Sequence, residues 1–163
     1  MMHLATLLGT SLALSVITLA APVSDTQMGS KHTVYLSTCT RRATVPDCPI
    51  VILCNQPAAP AQTYTAAAYF VNSRPQANLP TEVAVVSTSL EPWEGTQRVA
   101  KFRTATFSSV IDAGAKGLSK SDVAGSARLG NEDFACFKDG ETVFAADGLT
   151  SCRADYWCAS LDV

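Results

Sequence analysis

The sequence predicts an α+β, β-rich domain: a small disulfide-stabilised antiparallel sheet or sandwich with one main helix at about 106–117. Three observations carry that expectation. Alternating runs rich in β-branched and aromatic residues recur along the chain, separated by turn residues. Phe107, Val110, Ile111, Gly114 and Leu118 repeat at the spacing of one helix face. Six cysteines fall into two groups, one early and one late. A chain of 163 residues suits one domain, and 47% hydrophobic against 16% charged residues excludes disorder as a description of the whole. With a net charge of −2 there is no basic footprint, so nucleic acid is not an expected partner.

The first element is a targeting segment. No charged residue occurs from Leu4 to Ala20, and Thr18-Leu19-Ala20 ends the run with small residues at the cleavage positions. Residues 1–20 therefore read as a signal peptide. Polar Thr6, Thr10, Ser11 and Ser15, and the missing Lys/Arg flank, argue against a membrane anchor. Residues 21–31 read as a flexible leader and 32–163 as a single disulfide-bonded extracellular domain. No membrane span is expected in the mature protein, which is assigned to the secreted, extracellular compartment.

Within the domain, His32–Thr38 alternates and leads into Cys39 as a strand. Pro49–Cys54 is a short apolar run expected as a buried strand, and Asn55–Gln62, with Pro57 and Pro60, a loop. Thr63–Val71 is ambiguous, because its three alanines favour helix while Tyr64, Tyr69, Phe70 and Val71 favour strand. Glu82–Thr88 and Gln97–Thr104 alternate like half-exposed strands. The helix follows, with Thr106 or Ser108 as N-cap and Gly117 as its stop. Asp133–Phe137 and Thr142–Ala145 flank an Asp-Gly turn and read as a hairpin. Ala154–Ser160 forms a last strand.

The cysteines are Cys39, Cys48 and Cys54, then Cys136, Cys152 and Cys158. Six allow fifteen pairings. Three per group cannot pair off internally, so full oxidation requires one or three bridges between the groups. Such a bridge closes a long loop, for which the chain-entropy estimate is roughly 4 kcal/mol. No CxxC spacing occurs and His32 is the one histidine after cleavage, so no metal and no cofactor is expected.

The same histidine count excludes HExxH hydrolases and two-histidine ribonucleases, and neither a GxSxG elbow nor a phosphate-binding Gly-Lys-Ser/Thr loop occurs. What survives as chemistry is a pair of carboxylates drawn from Glu91, Glu94, Glu132 and Asp133, against the plainer reading of solvated acids. Glu91-Pro-Trp-Glu-Gly95 presents Trp93 in a turn-rich segment. Trp93 is the candidate binding anchor and Glu94 its polar rim, unless the indole folds back as a core plug. Tyr156-Trp157 beside Cys158 reads as packing on a disulfide. Arg41-Arg42 is a dibasic pair expected to stay uncut.

The Ala-Ala-Pro junction, the even cysteine count, and the ending from Phe134-Ala-Cys-Phe-Lys-Asp-Gly140 to Cys152-Arg-Ala-Asp-Tyr-Trp-Cys158 resemble fungal small secreted cysteine-rich proteins, a class rich in effector candidates. The resemblance implies a durable extracellular β-rich protein that binds a host or microbial protein or glycan, with an effector-like role in virulence. The expected function is therefore non-enzymatic binding outside the producing cell. The alternatives are a small carboxylate-based secreted hydrolase and an antimicrobial or toxin-like protein.

Overall fold

A computed structural model describes residues 32–43, 60–71, 75 and 79–162. The expected signal peptide and leader, the run Pro49–Cys54 expected as a strand, and Cys48 and Cys54 lie outside the described residues. Nine strands follow in chain order: β1 His32–Arg41, β2 Gln62–Val71, β3 Glu82–Ser87, β4 Arg98–Lys101, β5 Thr106–Ile111, β6 Val123–Leu129, β7 Glu132–Lys138, β8 Val143–Ala145 and β9 Thr150–Ser160. All their pairings are antiparallel, in the order β3-β2-β1-β9-β7-β6-β5-β4, with β8 added to β9. The sheet curls into a nearly closed barrel whose two ends, β3 and β4, meet without a shared ladder. The end where β1 begins is termed the upper rim, and the end where β1 finishes the lower rim.

This corrects the α+β expectation, because the described residues, 106–117 included, hold no main helix. Residues 106–111 are strand, and only Ala115–Gly117 makes a single 3-10 turn. The helical spacing of Phe107, Val110, Ile111 and Gly114 is a coincidence of a strand running into a loop. Phe107, Ser109 and Ile111 alternate inward and are all buried, whereas Val110 is 48% exposed. A buried serine at the middle inward position breaks the apolar alternation that signals a strand.

The hairpin at Asp139-Gly140 also differs. Neither β7 nor β8 pairs with the other; both pair with β9, at successive stretches of it. Asp139 N and Gly140 N donate to the carbonyls of Asp155 and Ala154 on β9, and Asp139 Oδ1 accepts from Glu141 N and Thr142 N. The turn chemistry is satisfied by the third strand and by its own aspartate, so the chain steps along β9 instead of reversing. The true two-residue turn joins β6 to β7 at Gly130-Asn131, with Gly130 at φ 59°.

β2 resolves its ambiguity in favour of strand, because both of its faces are buried. Ala67 faces the barrel core while Ala66, Ala68 and Phe70 join a second apolar cluster on the outer side. Small residues there let two layers approach one strand. The inner core holds Val34, Leu36, Phe107, Ile111, Phe134 and Tyr156, each at most 1% exposed. Side chains therefore fill the barrel, as eight-stranded barrels of this size allow.

Two disulfides pin the middle of the sheet. Cys39–Cys152 joins β1 to β9, uniting the early and late cysteine groups, and Cys136–Cys158 joins β7 to β9. Each links residues directly opposite one another in the ladders. They are consistent with an oxidising, extracellular setting. Among the described residues no helix is long and apolar enough to cross a membrane.

Candidate functional site

Trp93 is 3% exposed and packs in the barrel core, carried there by the segment that links β3 to β4 across the lower rim. Thr65 of β2 holds that segment: Glu91 N donates to its Oγ1 at 2.9 Å, and the hydroxyl donates to Glu91 O at 3.0 Å. A parallel bridge then sets Glu94 beside Ile111. Glu94 accepts a hydrogen bond from the Tyr156 hydroxyl.

Three other acids named from the sequence are dispersed. Glu91 pairs with Arg98 and accepts from Ser87 Oγ. Glu132 lies at the upper rim, where His32 Nδ1 is 2.9 Å from both of its oxygens and Ser160 Oγ donates to it. Asp133, one residue along the same strand, faces outward and pairs with Arg128 at 2.9 Å. Consecutive strand residues point to opposite faces, so Glu132 and Asp133 do not form one site.

The carboxyl that neighbours Glu94 is Asp155, which the sequence reading passed over. Opposite Leu36 and Ser37, the β1–β9 register shifts and inserts Asp155 as an extra residue. Thr38 Oγ1 donates to its Oδ2 at 2.8 Å. Burial pushes the Asp155 carboxyl above the ordinary carboxylate range, Glu94 adds to this, and Thr38, Arg153 and Lys138 oppose it. Burial, and then the bond to Glu94, push the Tyr156 phenol well above its usual value. Lys138 Nζ lies 4.3 Å from the centre of the Tyr156 ring. The lower rim is thus a half-buried polar cluster of Thr38, Glu94, Lys138, Asp155 and Tyr156.

The side chains that reach the surface with recognition character lie elsewhere. Cys136 and Cys158 point into the core, so their neighbours Phe137 and Trp157 point out. These two rings are cross-strand partners, half-buried and stacked at 4.6 Å with 23° between planes. The register extends the row on both sides, to Tyr35 on β1 and to Val123 on β6, which is 65% exposed. The adjoining outward row, Thr33, Ala159, Ala135 and Ser126, is small, and the Arg128–Asp133 pair borders it.

The usable signal for this row was the cysteine spacing. Once Cys136 and Cys158 are opposite one another and inward, Phe137 and Trp157 must be opposite and outward. The sequence offered fifteen pairings and no way to select that one.

Among the described residues no group of three or more His, Cys, Asp or Glu side chains is placed to hold a metal ion. No protein-family model, no curated protein and no solved structure matches this chain.

Proposed function

We propose that this chain is a secreted, effector-like binding protein that acts on a host or microbial target outside the producing cell, without catalysis, through the outer face of β6, β7, β9 and β1. The stacked Phe137–Trp157 pair carries the reading. Large aromatic side chains dominate interface energetics when they are held rigidly and only partly covered. Here two of them stand on adjacent strands joined by a disulfide, so little conformational entropy remains to be lost on binding. An apolar row with small residues beside it and a paired charge at its edge has the anatomy of an interface core and rim. The filled interior also supports the reading, since a packed barrel leaves recognition to its outside.

A second reading has one observation in its favour. Asp155, with its raised carboxyl, lies in the electrostatic reach of Glu94, the pairing of a protonatable acid with a second carboxyl that glycoside hydrolysis uses. Product analysis separates the two readings. Purified mature protein is incubated with a panel of glycans and peptides, and bound and cleaved material are both measured. Binding that is retained by Glu94→Gln and Asp155→Asn, with no cleavage, supports the proposal. Hydrolysis abolished by either substitution, in a folded protein, replaces it with the carboxylate mechanism.

A further inference from the structure

We infer that the barrel opens along the seam between β3 and β4, and that two Glu–Arg contacts are the clasps that hold it shut. Every other neighbouring pair along the sheet is joined by a backbone ladder, whereas β3 and β4 end the order on either side. Near the upper rim, Glu82 at the start of β3 takes a bond from the backbone N of Arg103, just past β4, at 2.8 Å; the Arg103 guanidinium lies 3.6 Å from the same carboxylate. Near the lower rim, Glu91 pairs with Arg98 of β4, whose Nε also donates to Pro92 O at 3.0 Å. Side chains thus stand at this line where backbone ladders stand elsewhere.

Two further observations converge on it. Among the described residues three buried side-chain groups have no hydrogen-bond partner: Ser37 Oγ on β1, away from this line, and Trp93 Nε1 and Ser109 Oγ. Trp93 belongs to the β3–β4 connection, and Ser109 of β5 faces Arg98 of β4 in register. Two of the three therefore adjoin the seam, and opening it returns Trp93 Nε1 and Ser109 Oγ to water, which lowers the cost of opening there. The disulfides lie on the opposite side, cross-linking β1, β9 and β7 at the centre of the sheet. The covalent side is the hinge and the clasped side the gate, a division of local stability within one domain.

Hydrogen exchange on the full chain with its disulfides intact tests this. The informative amides are those of β3 bonded to β2 and those of β4 bonded to β5, since amides facing the seam exchange quickly in any case. They should exchange on the order of 10-fold faster than the ladder amides of β1 and β9. Glu82→Ala combined with Glu91→Ala should accelerate them by about another 10-fold while leaving β1 and β9 unchanged. In the same double variant carrying Trp157→Phe, acrylamide should quench Trp93 more strongly than with the clasps present. Arg128→Ala, which removes an ion pair between β6 and β7, should leave β3 and β4 as they were. Equal protection of β3, β4, β1 and β9 overturns the inference. So does a clasp variant that accelerates every strand alike, because that reports global unfolding.

Discussion

Replacing Trp93 by alanine and by phenylalanine separates two contributions that one residue makes. Trp93 is 3% exposed and lies in the barrel core, so alanine leaves a cavity that strands pinned by two disulfides cannot collapse to fill. Large aromatic-to-alanine changes at such sites cost about 3–5 kcal/mol. In a domain of this size each kcal/mol moves the thermal midpoint by roughly 3 °C, so Trp93→Ala should lower it by about 10 °C. Phenylalanine retains much of the apolar contact and removes the indole N–H, which has no acceptor. Leaving such a donor buried costs about 1–3 kcal/mol, and its removal offsets the lost area. Trp93→Phe removes less volume than alanine and relieves that donor, so it should stay within about 1.5 kcal/mol of wild type. Both are read by thermal unfolding followed by circular dichroism with disulfides intact. A Trp93→Ala midpoint within about 2 °C of wild type would refute the core role. A Trp93→Phe cost equal to that of alanine would show that the N–H makes a bond after all.

Gly125→Ala should be among the costliest single changes. At φ 156° a Cβ there would meet Val110 O at 2.2 Å and Ile111 Cα at 2.9 Å, both backbone atoms of β5. A loss of about 3 kcal/mol or more, or no folded protein at all, is expected from denaturant titration and expression yield. Alkaline titration followed by tyrosine absorbance should show Tyr156 and Tyr69 ionising late, since burial raises both phenols. Their neutral forms are favoured in the folded state. That contribution is fully present below the unfolded value near 10 and is lost as pH rises above it, so ionisation and unfolding should coincide. Early, independent ionisation of all four tyrosines would contradict the burial. A dibasic-specific protease should leave the native protein uncut after Arg42. Arg41 is paired to both β2 and β9, and Arg42 N donates to Leu149 O at 3.0 Å, so the backbone cannot enter a protease cleft. Rapid cleavage at that bond in the native state would show that the end of β1 frays.

The strands that were legible in the sequence are those whose two faces differ. The first half of β1 reads directly, because buried Val34 and Leu36 alternate with partly exposed Thr33 and Tyr35, although Ser37 and Cys39 are then buried on the other face. β2 did not, since both faces are buried and alanines serve the packing of two clusters. β5 was hidden by one residue, the buried Ser109, which let a helical spacing compete with the strand period. The Asp-Gly turn was correctly a turn and wrongly a hairpin. Turn chemistry fixes local backbone but does not say which strand takes the freed hydrogen bonds, and here β9 does. Site residues followed the same logic. Trp93 and Glu94 were singled out as a loop pair, while the fold draws Trp93 into the core and sets Glu94 against Tyr156. Asp155 and the Phe137–Trp157 stack depend on a register shift and a disulfide pairing, both long-range facts that no local pattern carries.

The measurement that bears most directly on the proposed function is the affinity of Trp157→Ala relative to wild type for whichever panel glycan or peptide the protein binds. Trp93→Phe serves in parallel as a control whose change is confined to the core. If the outer face is the contact surface, Trp157→Ala should bind at least about 30-fold more weakly, corresponding to the 2 kcal/mol of a hot-spot residue. Its thermal midpoint should stay within a few degrees of wild type, because Trp157 belongs to neither buried cluster. Trp93→Phe should bind as wild type does. Equal affinity of Trp157→Ala and wild type for the same ligand would contradict the account and place recognition on another part of the barrel.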